Sequence, residues 1–148
     1  MSELIGFNIR VYAFCINENK ILALHERYAG TPICKLPGGG LEFGEGTIEC
    51  LHREFQEELN LKIEILDHHY TQEDFIESRI KDNKQILNIY YTVKILNIED
   101  LNVQIPGLEK LEWIDIDSEN NPFVLKADII AFEKLKNSLL SKKSIHEK

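Results

Sequence analysis

The sequence contains few cysteines, and their placement excludes a disulfide framework or a zinc site. Three cysteines, Cys15, Cys34 and Cys50, occur among the 148 residues. Their number is odd, they lie far apart, and no C-x-x-C pair is present. This usage is typical of reduced thiols in a reducing compartment. We expect all three to be buried or half-buried apolar side chains.

Positive charge is also scarce. The chain carries 17 Lys and Arg residues against 25 Asp and Glu residues, which gives a net charge of -8. A protein that binds a nucleic-acid polymer or an anionic membrane needs a basic surface that neutralises phosphates. We therefore expect neither as a partner.

The sequence has no long apolar run. The longest stretch without a charged residue, Gln85 to Val93, is far shorter than the roughly 20 apolar residues that span a bilayer. The first residues, Met1 to Leu4, lack the basic and apolar regions of a signal peptide. These features lead us to expect a cytoplasmic protein.

The length suits one hydrophobic core, so we expect residues 1–148 to form a single domain with a disordered polar tail at 142–148. Alternating apolar and polar residues predict strands near residues 7–15, 21–25, 61–65, 67–80, 85–96 and 108–115. Polar turns join the first two as one hairpin and 67–80 with 85–96 as another. Apolar residues at helical spacing predict a C-terminal helix from Ile129 to Leu140. Several strands and two helices predict an α/β protein, an α/β/α sandwich with a mixed β-sheet.

The other predicted helix, which lies earlier in the chain, begins at Thr47. Its apolar residues recur at intervals of three and four, at Ile48, Leu51, Phe55 and Leu59. Thr47 is the candidate N-cap, because its hydroxyl can accept a hydrogen bond from a free N–H of the first turn. Asn60 is the predicted stop, because asparagine tolerates the left-handed conformation that ends many helices.

Three carboxylates, those of Glu54, Glu57 and Glu58, fall within one arc of this helix. Their mutual repulsion destabilises the helix unless a positive charge compensates. Mg²⁺ or Mn²⁺ fits this role, because hard cations prefer oxygen ligands. A solvated acidic face is the alternative for such a helix taken alone. The glycine-rich loop before it, residues 36–46, favours the metal site.

The loop and helix together carry a recognisable pattern. From Gly39 to Leu61 they read G-x5-E-x7-R-E-F-x-E-E-x-N-L. This resembles the Nudix box, G-x5-E-x7-R-E-U-x-E-E-x-G-U, in which U is a bulky aliphatic residue. Its fixed polar and glycine letters match Gly39, Glu45, Arg53, Glu54, Glu57 and Glu58. Phe55 and Asn60 depart from it, and neither change removes a catalytic group.

The resemblance implies a Nudix-type fold and a Mg²⁺-dependent (or Mn²⁺-dependent) pyrophosphohydrolase that cleaves a nucleoside diphosphate linked to another moiety. It also implies roles for residues of the box. Glu57 and Glu58 correspond to metal ligands, and Glu54 to a ligand or the general base. Arg53 corresponds to the residue that orients these glutamates, and the Gly39 carbonyl to a further ligand.

Candidates for supporting and substrate-binding roles lie around these residues. Glu42 and Glu45 are supporting acids, although the helix dipole alone also favours a carboxylate near position 45. Similar proteins often use one more glutamate outside the box. Of the two candidates near Trp113, we prefer Glu109 to Glu112 as this metal ligand. Arg27 and Tyr28 are candidates for binding a substrate phosphate or base, with a solvated arginine as the alternative.

The resemblance leaves the nucleotide substrate open among nucleoside triphosphates, nucleotide sugars and similar small molecules. No proline lies between Pro37 and Pro106, which argues against the family's ADP-ribose pattern. A nucleotide-sensing module without catalysis is the alternative function, although such sensors usually lack box carboxylates. A protein that only buffers metal does not explain the glycine loop. Homodimers are common among similar proteins.

Overall fold

A computed structural model describes the backbone of residues 3–146 and the side chains of residues 3–139. Two α-helices lie in this part of the chain, α1 at Thr47–Leu59 and α2 at Lys126–His146. The strands are β1 Gly6–Asn17, β2 Lys20–Tyr28, β3 Thr31–Lys35, β4 Gly38–Gly40, β5 Ile63–Thr71, β6 Ile76–Glu77, β7 Lys84–Ile95 and β8 Lys110–Asp115. A 3₁₀ turn at Ile98–Asp100 follows β7.

The strands form one mixed sheet with the order β3-β2-β1-β7-β5. The central pair, β1 and β7, is parallel, and the other neighbours are antiparallel. Both predicted hairpins are present, one from β1 and β2 and the other from β6 and β7. Three short strands extend the sheet, because β4 pairs with β1, β6 with β7, and β8 with β2.

Alternation along β1 divides the core into two halves. Val11, Ala13 and Cys15 pack with residues of α1, whereas Phe14 packs with residues of α2. The α1 half also contains Leu51, Phe55, Leu59, Leu61, Ile63 and Val93. The α2 half contains Tyr90, Ile114, Ile116, Phe123, Phe132 and Leu135. One helix on each face confirms the α/β/α sandwich with a mixed sheet.

The start of α1 differs from the prediction. Gly46 occupies the N-cap position, and its N–H donates to the Glu49 side chain at 3.0 Å. Thr47 is the first helical residue, so its prediction as the N-cap is wrong. Its hydroxyl lies 2.6 Å from the Tyr91 hydroxyl and links the helix to β7.

The end of α1 is as predicted. Asn60 has φ 56° and ψ 39°, which is the left-handed conformation. The Asn60 N–H donates to the Gln56 carbonyl at 3.2 Å, and the Leu61 N–H donates to the Phe55 carbonyl at 3.2 Å. These bonds satisfy carbonyls that the last helical turn leaves without partners.

All three cysteines are free and buried, as predicted. No helix among the described residues is long and apolar enough to cross a membrane. Helix α2 extends to His146, and so enters the stretch 142–148 for which a disordered tail is predicted. The side chains of that stretch, and residues 147–148 altogether, lie outside the described residues.

The left-handed conformation of Asn60 makes its substitutions informative. Asn60→Ala is expected to lower the free energy of unfolding by about 1 kcal/mol, because a Cβ without a local hydrogen bond is strained there. Asn60→Gly adopts the conformation freely but loses exposed side-chain bonds to Gln56 and the Asp100 carbonyl. We expect it to stay within about 0.5 kcal/mol of wild type. Urea unfolding measures both, and an alanine variant as stable as wild type would contradict the assignment.

Candidate active site

Gly39 and Glu54 form the closest contact between the glycine loop and α1. Gly39 lies in β4, opposite Val11 of β1. A Cβ atom at position 39 would lie 2.5 Å from the Glu54 Cδ and within 2.7 Å of both carboxylate oxygens. Glu54 is only 9% exposed. Glycine is therefore needed at position 39 for the Glu54 carboxylate to occupy this site.

Arg53 connects the loop to the helix. Its Nε and Nη2 donate to the two Glu45 carboxylate oxygens at 2.9 and 2.7 Å, which is a bidentate pair. Nη2 also donates to the Gly40 carbonyl at 3.0 Å. Nη1 donates to Glu54 at 2.9 Å and to Glu57 at 3.2 Å. The hydrogen bonds from Arg53 lower the pKa of Glu45 to about 2, and those to Glu45 raise the pKa of Arg53.

The supporting acids occupy different places in this network. Glu45 is a main partner of Arg53, and its carboxylate also accepts from the Glu42 N–H at 2.9 Å. The Glu42 carboxylate is more distant, at 3.6 Å from Arg53, and is 67% exposed. The structure thus places Glu45, more than Glu42, where it fixes the arginine.

Glu54 and Glu58 form a pair of neighbouring carboxylates. Glu58 is half-buried and lies within hydrogen-bond reach of Glu54. Burial first, and then the charge and hydrogen bonding of Glu54, raise the pKa of Glu58 to about 7. Two carboxylates in such proximity resist simultaneous ionisation. A divalent cation between them would remove this repulsion.

The donor groups are suited to Mg²⁺ or Mn²⁺, because carboxylate and carbonyl oxygens are the ligands that hard cations prefer. Within residues 3–139, no three His, Cys, Asp or Glu side chains are grouped closely enough to hold a metal ion. Glu54 lies next to the Gly39 backbone, and Glu58 lies beside Glu54. Glu57 is exposed and pairs with Arg53. The predicted three-glutamate cluster is therefore realised as a close pair with a third carboxylate at its edge.

Two predicted residues outside the box pair with each other. The Arg27 Nε lies 2.8 Å from a Glu109 carboxylate oxygen, and both side chains are about half exposed. Glu112, the other candidate, pairs with His25 at 2.8 Å. The roles of Glu109 as a metal ligand and of Arg27 as a substrate-binding residue stay predictions. Both side chains are engaged in a surface ion pair.

The structure contains a cavity of about 360 Å³ whose lining includes neither Glu54 nor Glu58. Its walls come from β1, β2, β3, β7, the segment 76–80 and the start of α2. Polar lining residues include Asn8, Arg10, Glu26, Lys35, Asn88 and Asp128. Glu26 and Lys35 form an ion pair at 3.0 Å, and both act electrostatically on Glu58. Tyr28 lines the cavity, whereas its neighbour Arg27 is not among the lining residues, and a substrate-binding role for either residue stays a prediction.

Most of the cavity residues carry no signal that the sequence analysis could use. Arg10 and Lys35 are the exceptions. Arg10 interrupts an apolar strand on the same face as Tyr12 and Phe14, and Lys35 directly precedes the glycine loop. A charged residue on a face that is otherwise buried predicts either a partner or a ligand.

Asp128 closes the α2 side of the cavity. It is 4% exposed and accepts a hydrogen bond from the Tyr90 hydroxyl. Burial raises the pKa of Asp128 to about 6, although the Tyr90 hydrogen bond and the charge of Lys35 oppose the shift. This carboxyl therefore titrates closer to neutral pH than an ordinary aspartate.

The family assignment follows from a comparison along the chain. The model of the NUDIX domain family matches residues 6–132. The chain belongs to the Nudix family. The hydrolases of this family act on phosphoric anhydrides, and the Gly39–Glu54 contact and the Arg53 network lie within the Nudix box.

Solved structures share the fold of this Nudix protein. A MutT Nudix hydrolase from Burkholderia pseudomallei has a TM-score of 0.71 at 20% identity, covering 87% of this chain and 98% of its own. A UDP-X diphosphatase has a TM-score of 0.63 at 22% identity, covering 93% and 66%. An ADP-ribose pyrophosphatase from Streptococcus suis has a TM-score of 0.62 at 16% identity, covering 88% and 90%. At these identities the likeness shows the fold.

The tight space above Gly39 gives a direct test of the metal site. Gly39→Ala is expected to displace the Glu54 carboxylate and to weaken Mn²⁺ binding at least tenfold, measured by calorimetry. The loss of stability should be modest, because the displaced group is the end of a flexible side chain. Gly40→Ala is the control, since a Cβ there meets nothing closer than 3.5 Å. Equal Mn²⁺ affinity in both variants would refute the role of this contact.

The raised pKa of Asp128 predicts a pH-dependent stability. Its pKa lies above that of the unfolded chain, so the folded state binds more protons between about pH 4 and 6. The free energy of unfolding therefore falls across this range as pH rises. Asp128→Asn should remove roughly 2 to 3 kcal/mol of that fall. The exposed Asp115→Asn is the control in urea unfolding at each pH, and parallel curves for wild type and Asp128→Asn would contradict the prediction.

Proposed function

We propose that this protein is a Mg²⁺-dependent (or Mn²⁺-dependent) pyrophosphohydrolase that cleaves a small nucleotide derivative, a nucleoside diphosphate linked to another moiety. The observation that carries the proposal is the Glu54 and Glu58 carboxylate pair, in which Glu54 lies against Gly39 and Glu58 is influenced by Glu26 and Lys35 of the cavity lining. The three free cysteines of the protein support a role in a reducing compartment, which we take to be the cytoplasm.

The proposed roles follow the contacts. Glu54 and Glu58 hold the metal, with the Gly39 carbonyl as a further ligand, and Glu54 remains the alternative general base. Glu57 lies at the edge of the pair and joins as a ligand once Arg53 releases it. Divalent cations held here supply charge neutralisation on the diphosphate and activation of the attacking water.

Arg53 acts as a positioning residue in this proposal. It bonds to Glu45, Glu54 and the Gly40 carbonyl at once, so it fixes both the loop and the helix around the ligands. A carboxylate that is already held in place loses little conformational entropy when it binds a metal. Glu45 supports the site by orienting Arg53.

The cavity supports a nucleotide as the substrate. A volume of about 360 Å³ is in the range of sites for small ligands, and Tyr28 and Ile33 offer apolar contacts beside the polar groups of Asn88 and Asp128. The neighbouring folds include enzymes named for ADP-ribose and for UDP-linked compounds. Nucleotide sugars and nucleoside triphosphates are therefore the first classes to test.

The test is a hydrolysis panel with Mg²⁺ or Mn²⁺ at mildly alkaline pH. It covers nucleoside triphosphates, oxidised deoxynucleotides, nucleotide sugars, ADP-ribose and dinucleoside polyphosphates. Glu58→Gln and Glu57→Gln should each lower kcat at least 100-fold for the cleaved class. Glu64→Gln is the control, because it removes the same charge from an exposed position in β5. It should retain activity.

Stability separates loss of chemistry from loss of fold. Glu58→Gln removes the repulsion with Glu54, so the melting temperature of the metal-free variant should equal or exceed that of wild type. A double Glu57→Gln, Glu58→Gln variant with near-normal turnover would end the mechanism. Metal and nucleotide binding without cleavage of any class would instead favour a nucleotide sensor.

A further inference from the structure

Arg10 lies between the carboxylate pair and the cavity. It pairs with Gly40 in the β1 and β4 register, one residue from Gly39. Its Nη1 would be 3.5 Å from a Cβ atom at position 40, so the guanidinium packs against β4. It lines the cavity, and its charge is attracted to those of Glu54 and Glu58. Arg10 is therefore positioned beside both the proposed metal site and the proposed substrate site.

The guanidinium of Arg10 is only partly satisfied. It is half-buried, and its Nε donates to the Tyr12 hydroxyl at 2.5 Å. Its carbon atom Cζ lies 5.6 Å from the centre of the Tyr12 ring. Among residues 3–139, no carboxylate forms an ion pair with Arg10, and its two terminal nitrogens have no hydrogen-bond partner. Since no buried side-chain nitrogen or oxygen among the described residues lacks a partner, these two nitrogens face solvent and are open to a ligand.

Three other cations near the site have such partners, whereas Arg79 and Lys126, which also line the cavity, form no ion pair among the described residues. Lys35 pairs with Glu26 at 3.0 Å, and Arg27 with Glu109 at 2.8 Å. Arg53 pairs with Glu45 and Glu54. Arg10 differs from Arg79 and Lys126 in its place on β1, paired with β4 one residue from Gly39, where its two terminal nitrogens are free.

We propose that Arg10 binds the phosphate of the substrate that lies on the cavity side of the metal site, and that Tyr12 positions it. This inference rests on the proposed function. The planar guanidinium matches a phosphate with two parallel N–H donors, which a lysine ammonium does not. Because Tyr12 takes the Nε donor, the two terminal nitrogens remain for the phosphate. A metal bound at Glu54 and Glu58 would also weaken the attraction that Arg10 feels towards them.

The role predicts a change in substrate affinity more than in turnover. Arg10→Gln should raise KM about 10- to 100-fold for the best substrate of the panel, with kcat within threefold of wild type. The same variant should weaken the binding of inorganic pyrophosphate by a similar factor in calorimetry with Mg²⁺ present. The KM and the pyrophosphate affinity of Arg10→Lys should fall between those of wild type and of Arg10→Gln, since lysine keeps the charge and loses the paired donors. Tyr12→Phe should raise KM severalfold.

Lys20→Gln is the matched control. It removes one positive charge from β2, where the exposed Lys20 side chain pairs with Asp115 of β8. It should leave KM and pyrophosphate binding unchanged. Wild-type affinity for pyrophosphate and wild-type KM in Arg10→Gln would overturn the inference while the proposed function stands. If Arg10→Gln fails to fold, unchanged values in Arg10→Lys overturn it equally.

The pyrophosphate measurement also separates this inference from the proposed function. Pyrophosphate binding that depends on Arg10, in a protein that cleaves no member of the panel, supports the phosphate site and contradicts the hydrolase. Wild-type protein that neither cleaves the panel nor binds pyrophosphate overturns both.

Discussion

The bidentate pair between Arg53 and Glu45 is the interaction on which the site depends. The first part of the glycine-rich loop is anchored to the sheet, where Leu36 is buried and β4 pairs with β1, and contacts with α1 hold the rest in place. Arg53 supplies them by donating to Glu45 and to the Gly40 carbonyl while its helix is anchored in the core. This arginine is only 21% exposed, and its two-point geometry distinguishes it from the exposed pairs that contribute little to stability.

The two sides of helix α1 have opposite effects on its stability. Leu51, Phe55 and Leu59 are fully buried and fix the helix on the sheet. Glu54 and Glu58 lie close together although their charges repel. Burial of the apolar side offsets this repulsion. The helix therefore stays folded, and the two carboxylates remain close enough to bind one cation. Such local destabilisation is common at functional sites because the ligand, rather than the fold, relieves it.

The sequence was most informative where the site is continuous in the chain. Gly39, Arg53 and Glu54 belong to one loop and helix, so their fixed spacing determines their contacts. Thr47 was predicted as an N-cap by a local rule that cannot include Tyr91, which is 44 residues away. The physical reason for that error is a tertiary hydrogen bond.

The sequence is less informative about strands, whose side chains alternate between faces. Arg27 and Tyr28 are neighbours in β2, and only Tyr28 lines the cavity. The sequence does not tell which face is covered, because the covering elements come from distant segments. Glu109 pairs with Arg27 because β8 lies beside β2, and that register is set only by the complete sheet. The cavity combines five strands with the start of α2, so no local pattern describes it.

The same alternation explains how two faces of the sheet meet at one site. Val11 and Gly39 are paired on the face of α1, where Glu54 packs, and Arg10 and Gly40 are paired one residue away on the opposite face. Gly40 is the last of the three residues of β4, so the Arg10 and Gly40 pair lies at the end of this strand. The charge of Arg10 can therefore act on carboxylates of α1 while its guanidinium lines a cavity closed by α2.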